Sequence, residues 1–179
     1  MPTITYFLNE AQEDAIHDWV ATAIGFDGDK VVWELQDGGR PGRPFISLSI
    51  SSGPQKMGTP PIAYKELDTF KFRFQKTFTL TVNIFALDIH LKVLNNLLNA
   101  IDLPTHRETM RNAGLAIYGN SQPFDLSDLV ETDHELRWTV DFFLAYGEDV
   151  EDAPGEIQTV RFKGIGDLDS LKKQTVIAP

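Results

Sequence analysis

The side chains best suited to chemistry in this chain are four histidines, several paired carboxylates and a scatter of serines. His17, His90, His106 and His134 never stand at the i, i+4 spacing that lets one helical face offer two rings to a metal, so exposed or capping roles are expected for them. Cysteine is absent, which removes disulfides and thiolate metal sites together. A serine nucleophile needs a G-x-S-x-G elbow with histidine and carboxylate partners in a recognisable order, and the sequence has neither. Asp125 and Asp128, three residues apart after a proline, read as the N-terminal caps of a helical turn. EDVEDAPGE, Glu148 to Glu156, offers oxygens to a hard cation but lacks the alternating ligand positions of a calcium loop, so a solvated acidic turn is expected. GIGD, Gly164 to Asp167, is half of a dinucleotide fingerprint without its third glycine or its βαβ unit. No cofactor or metal is implied, and nothing demands an enzyme.

Charge has more to say. The 26 acidic and 16 basic residues leave a net charge of −10, which argues against gripping a phosphate backbone over a wide face, though an acidic wall lets DNA pass without sticking. Within that acidic chain, QDGGRPGRPFISLSI (Gln36 to Ile50) gathers two arginines, two prolines and three glycines just before an apolar run. Arg40 and Arg43 there are either guanidinium forks for a partner's carboxylates or exposed charges on a turn stiffened by proline. Both readings stand on spacing alone. The aromatic series Phe70, Phe72, Phe74 and Phe78 has the chemistry for base stacking. Its strict period and the missing basic groove favour core packing instead.

The elements that must position these groups follow from periodicity. Asn9 and Gln12 have capping-box spacing, and Ile16, Trp19, Val20, Ala23 and Ile24 fall on one face, predicting a helix from Glu10 to Ile24 that Gly25 ends. KVVWELQ (Lys30 to Gln36) and the run from Phe45 to Ile50 read as strands. Ser51 to Tyr64, rich in Gly and Pro, reads as an excursion from the sheet, mobile in isolation. From Phe70 to Ile84 the even positions are apolar except Lys76, while Lys71 and Arg73 point the other way. That alternation predicts either one strand of about 50 Å, overhanging a small domain, or two strands separated by a bulge at Gln75 and Lys76. Asp88 to Ile101 carries an apolar helical stripe. Thr105 and Glu108 suggest a capping box opening a short third helix that ends at Gly114, and LAIY a brief strand. A helical turn is expected within SQPFDLSDLVE, a strand from His134 to Tyr146, an acidic turn over GEDVEDAPGE, and a last strand in IQTVRFKG.

The whole reads as an α+β fold: a mostly antiparallel sheet with long strands, two main helices packed on it, and long loops for subunit contacts. Length and apolar content suit one domain over residues 1–166 with a C-terminal tail at 167–179. No apolar run is long enough to span a membrane, and MPTITYFLNEAQED lacks the order of a signal peptide, so a protein kept in the cytoplasm is expected. Composition and spacing therefore lead to an interaction domain.

Trp33, Gln36 and the Pro41 to Pro44 spacing in WELQDGGRPGRPFISL resemble the opening signature of the phage neck or tail terminator family of tailed bacteriophages. FTLTVNIFA followed by an apolar helix, then LPTHRETMRNAGLAIY, DLSDLVETDHELRWTVDFFLAY and GEIQTVRFKG, resemble its later passages in the family's order, covering about Trp19 to Gly164. Phe45 stands where the pattern has tyrosine, and the tail beyond Gly166 has no counterpart. The resemblance implies a structural virion protein: a homo-oligomeric ring, hexameric in related terminators, assembled in the host bacterial cytoplasm. The ring caps the completed tail tube, joins the head-side connector or stopper protein and lets DNA pass through its lumen without specific binding. It also implies interface roles for Arg40, Pro41, Arg43, Pro44, Lys71 and Arg73. A head-completion (stopper or adaptor) ring is the neighbouring alternative, and a small enzyme or ligand-binding domain the distant one.

Overall fold

The computed structural model of the protein describes residues 7–34, 39–58, 60–66, 69–86, 90–130 and 133–152. Three helices, α1 (Glu10–Ile24), α2 (His90–Ala100) and α3 (Pro104–Asn112), accompany eight strands. These are β1 (Val31–Trp33), β2 (Phe45–Lys56), β3 (Ile62–Glu66), β4 (Thr69–Ala86), β5 (Leu115–Asn120), β6 (Phe124–Asp125), β7 (Asp128–Val130) and β8 (Asp133–Asp152). The main path of the sheet runs β1-β2-β4-β8-β5, with β3 paired to β4 and β6 and β7 paired to β8. The fold is α+β. Because β1 lies parallel to β2, the sheet is mixed, which corrects the expectation of a mostly antiparallel one. Parallel neighbours cannot be joined by a tight hairpin, so the pairing of β1 with β2 implies a crossover between them.

Helix α1 starts as its sequence requires. The Gln12 amide donates to Asn9 Oδ1 at 2.9 Å and the Asn9 amide to Gln12 Oε1 at 3.2 Å, so two of the orphan donors at the helix start are satisfied reciprocally. Gly25 closes it in the left-handed region, φ 72°, where a Cβ would be strained. The buried face of α1, Ile16, Trp19, Val20 and Ile24, joins Val93, Leu94 and Leu97 of α2 and Met110 of α3 over one sheet face. That face presents Ile46 and Leu48 of β2, Phe78, Leu80, Val82 and Ile84 of β4, and Val140, Phe142 and Leu144 of β8. Alternation puts these side chains on one side of the pleat and Ser47, Thr81, Asn83 and Asp141 on the other.

Strands β4 and β8 pair without a break from Phe70 opposite Asp152 to Ala86 opposite Leu136. The 18 residues of β4 span about 60 Å, so the single overhanging strand holds and no bulge interrupts the β4–β8 ladder at Gln75 and Lys76. The irregularity lies on the other neighbour, where β2 shifts register between Ile50 and Ser52 and again between Ser52 and Gln55. Those bulges absorb Gly53 and Pro54 into the strand, since a proline can sit where no ladder donor is needed. Most of Ser51 to Tyr64 is therefore sheet, correcting the predicted excursion and shortening the long loops expected for contacts.

Other local expectations change for equally local reasons. Helix α3 begins at Pro104, whose missing N–H costs nothing at the first helical position, with Leu103 as cap and no side-chain cap bond; the Thr105–Glu108 box does not form. Asp125 and Asp128 sit in β6 and β7, not in a helical turn, and Asp125 Oδ1 accepts from the Ser127 amide at 2.9 Å, a turn bond that competes with helix capping. Glu148 to Asp152 belong to β8, where the predicted acidic turn instead continues the strand. The predicted strand IQTVRFKG, GIGD and the tail at 167–179 lie outside the described residues, as do Leu35 and Gln36 of the second predicted element.

Candidate functional site

Two surfaces collect the charged and aromatic side chains that the sequence singles out, and they lie at opposite ends of β4. The first is the part of the β4–β8 pair beyond the core. Phe78 is buried at 2% exposure, but Phe70, Phe72 and Phe74 are half-buried and stand outside the core cluster, and Val150 opposite Phe72 is 43% exposed. The core-packing expectation thus holds for Phe78, while the other three extend the apolar face outward as an arm. On the reverse face the arm is laced by charge. Arg73 meets Asp149 through two parallel bonds, 2.7 Å from Nε to Oδ1 and 2.6 Å from Nη2 to Oδ2. Lys71 Nζ lies 3.6 Å from Glu151 Oε1.

Lys76 pairs with Glu148 on the apolar side, its charge placed where the even series of β4 breaks. The bond from Arg73 holds the Asp149 carboxyl below the usual carboxylate range, and the bond to Glu148 raises Lys76 above the usual lysine range. Cross-strand pairing of opposite charge fixes register here, where no helix does so. Arg73 also lies over the Tyr64 ring of β3, 5.7 Å from its centroid. The three strands of the arm are thereby tied together.

The second surface is a cleft of about 390 Å³ on the polar side of the sheet, lined by the Gly39–Pro41 segment, β1, β2, β4 and β8. Phe45 and Phe85, opposite each other across β2 and β4, stack with centroids 4.5 Å apart and planes 7° from parallel. The Arg40 guanidinium lies 4.9 Å from the Phe45 centroid and 4.6 Å from that of Phe85. Arg137, opposite Phe85 on β8, lies 5.3 Å from the same ring and donates from Nη2 to Asn83 Oδ1 at 3.1 Å. Two guanidiniums therefore share one aromatic platform, each attracted by the ring quadrupole. Lys30 Nζ donates to the Gly42 carbonyl at 3.1 Å and so anchors the loop between Pro41 and Arg43.

Of the six residues expected at an interface, Arg40 and Pro41 line this cleft, and Arg43 and Pro44 follow on the same loop just before β2. Lys71 and Arg73 are on the arm, about 40 Å away along β4 at the rise of an extended strand. The fold does not bring the two groups together. Sequence reasoning missed Arg137 and Phe85 in the cleft and Glu148, Asp149 and Glu151 on the arm. A signal existed for the arm: basic Lys71 and Arg73 at alternate positions of one long strand match acidic Asp149 and Glu151 at alternate positions beyond another. Phe85 breaks the polar odd series of its strand, which marked it as a residue needing cover on the side without helices.

The groups that first suggested chemistry have structural partners or scatter. His17 Nε2 lies 3.0 Å from the carbonyls of both Gly28 and Val31 and so ties α1 to the turn before β1. His106 lines a smaller cleft of about 290 Å³ between α3 and β5 with Arg107 and Arg111; Arg107 Nη2 donates to Asp102 Oδ1 at 2.7 Å. Among the described residues no three His, Cys, Asp or Glu side chains gather closely enough to hold a metal, and no helix is long and apolar enough to cross a membrane.

Residues 10–167 match the family model described as phage neck terminator protein. No curated protein matches the chain.

Proposed function

The chain belongs to the phage neck terminator protein family, and from that premise we propose that its copies close into a hexameric ring that caps the completed tail tube and joins the head-side connector. Membership makes it a structural protein of the phage neck, carried in the virion. Assembly in the host bacterial cytoplasm, passage of DNA through the lumen and the identity of the neighbours are part of the proposal.

The observation that carries this reading is the arm. A closed ring needs heterologous contacts, one surface of a subunit meeting a different surface of the next, with a rotation that closes. An arm that projects past its own core, keeps an apolar strip of Phe72, Phe74 and Val150 on one face and is stiffened by ion pairs on the other supports such a contact. Rigidity lowers the ordering cost of association. In this reading Lys71 and Arg73 act by holding the arm in shape, while Arg40, Pro41, Arg43 and Pro44 form the second contact surface. The net charge of −10 suits a duct through which DNA slides, because like charge disfavours condensation of the backbone on the wall.

Native mass spectrometry of the purified chain, alone and with tail-tube subunits, tests the reading. A closed ring that associates with tube ends under electron microscopy is expected. A chain that stays monomeric and ignores tube ends and head-side connectors would overturn it, and a ring that binds only the connector would move it to the stopper position.

A further inference from the structure

We propose that adjacent copies of the chain join edge to edge, β5 of one pairing with β3 of the next, so that one sheet runs from subunit to subunit. Among the described residues β5 pairs with β8 alone and β3 with β4 alone. Each therefore turns an outer row of backbone N–H and C=O groups away from its own sheet. Such an edge is commonly blunted by charge or proline. β5, LAIYGN, has neither, and its register with β8 stays regular from Leu115 to Ile117 before shifting at Gly119. The other end of the main path, β1, offers only three residues.

The two edges match in side chains and in direction. Ile62, opposite Arg73, and Tyr118, whose ring lies 6.1 Å from that of Phe143, both stand on the sheet face without helices. They are 57% and 59% exposed, and each covers the other if the strands meet. β3, β4, β8 and β5 alternate in sense, so a rotation about an axis along the strands sets β5 antiparallel to a neighbour's β3, the more stable ladder. With Tyr118 opposite Ile62, Ile117 meets Ala63 and Ala116 meets Tyr64, each pair sharing one face. The edges are displaced along β8 from Leu144, opposite Ile117, to Glu151, opposite the Lys71 that faces Tyr64. A displacement of that kind is the stagger that closes a sheet of tilted strands. A two-fold pairing of β5 with β5 would instead leave β3 and Ile62 open. The inference rests on the ring reading and adds backbone pairing to the contact that the arm makes.

The test uses the full chain, which has no cysteine of its own, carrying Ile62→Cys together with Tyr118→Cys. Within one chain these positions lie at opposite edges with β4 and β8 between them, too far apart for a disulfide. Mild oxidation of the assembled protein should give a ladder of covalent oligomers on a denaturing gel that ends at the ring size found by native mass spectrometry. Either cysteine alone should give no dimer. In a second pair of variants, Ile62→Asp with Tyr118→Asp should weaken assembly roughly tenfold or more while the circular dichroism spectrum is kept, and Ile62→Lys with Tyr118→Asp should recover most of it. A ring that forms without the ladder, or that tolerates the paired aspartates, overturns the edge pairing and leaves the ring reading standing. Dimers from Tyr118→Cys alone overturn it in favour of a two-fold contact. A chain that assembles under no condition, with or without tail-tube subunits, overturns both readings together.

Discussion

Arg73 and Asp149 face each other across β4 and β8 with both carboxylate oxygens engaged, at 2.7 and 2.6 Å, in the stretch where the sheet has left its helices behind. The pair is exposed, the Arg73 side chain at 52% and that of Asp149 at 35%. Such a pair contributes little to global stability and much to local register. Reversing it singly, Arg73→Asp, should leave the thermal midpoint almost unchanged. Hydrogen exchange at Phe72 and Val150 should accelerate, while Val82 and Val140, in the core, keep their protection. The exchanged pair Arg73→Asp with Asp149→Arg should restore the arm. If ring formation fails to return with it, Arg73 also meets a neighbour directly.

Acid should loosen the arm before it unfolds the domain. The folded Asp149 carboxyl titrates below its ordinary value because Arg73 bonds the ionised form. Its contribution is therefore complete above the ordinary carboxylate range of about 4 and is lost as pH falls through the lowered folded value. Arm amides followed by exchange should stay protected at pH 5 and lose protection only on the acid side of that range. Asp149→Asn should shrink the acid-dependent step, the other arm carboxylates remaining, and leave the arm looser than the unaltered chain at neutral pH.

In the core, Trp19 and Phe142 meet edge to face with centroids 5.2 Å apart, and Trp19 is 1% exposed. Trp19→Ala should cost about 3–5 kcal/mol in denaturant unfolding, since it leaves a large cavity between helix and sheet. Trp19 Nε1 is buried without a partner. Trp19→Phe should consequently cost less than about 2 kcal/mol, because the lost indole volume is offset by removing an unpaired donor.

What could be read in advance followed the strength of each local pattern. Helix α1 was legible to its end residues because the Asn9–Gln12 box, the apolar stripe and Gly25 all agree. Strand β4 was legible because alternation persisted through Lys76, whose charge finds Glu148 on the otherwise apolar face. The β2 extension was not, since Gly53 and Pro54 signal a turn and only the unbroken neighbour β4 overrides them. Asp125 failed similarly: a short polar side chain serves a turn or a cap equally well, and pairing with β8 decided the matter. The arginine loop was visible as a feature. Its cleft was not, because Arg137 and Phe85 reach it from strands far along the chain, and only sheet order places them beside Arg40.

Charge reversal on that loop separates folding from assembly. Arg40 stacks on Phe45 and Phe85 from an exposed position, an interaction worth about 0.5–1 kcal/mol at such sites. Arg40→Glu with Arg43→Glu should therefore lower unfolding free energy by no more than about 2 kcal/mol, and the circular dichroism spectrum should match that of the unaltered chain. If the loop is the second contact surface of the proposed ring, ring formation, or binding to tube ends, should nevertheless be abolished, because attraction to a neighbour's carboxylates becomes repulsion. Arg40→Gln with Arg43→Gln, which removes attraction without adding repulsion, should fall between the two. Assembly that proceeds unchanged in the glutamate variant would remove the loop from the interface and leave the arm to supply both contact surfaces.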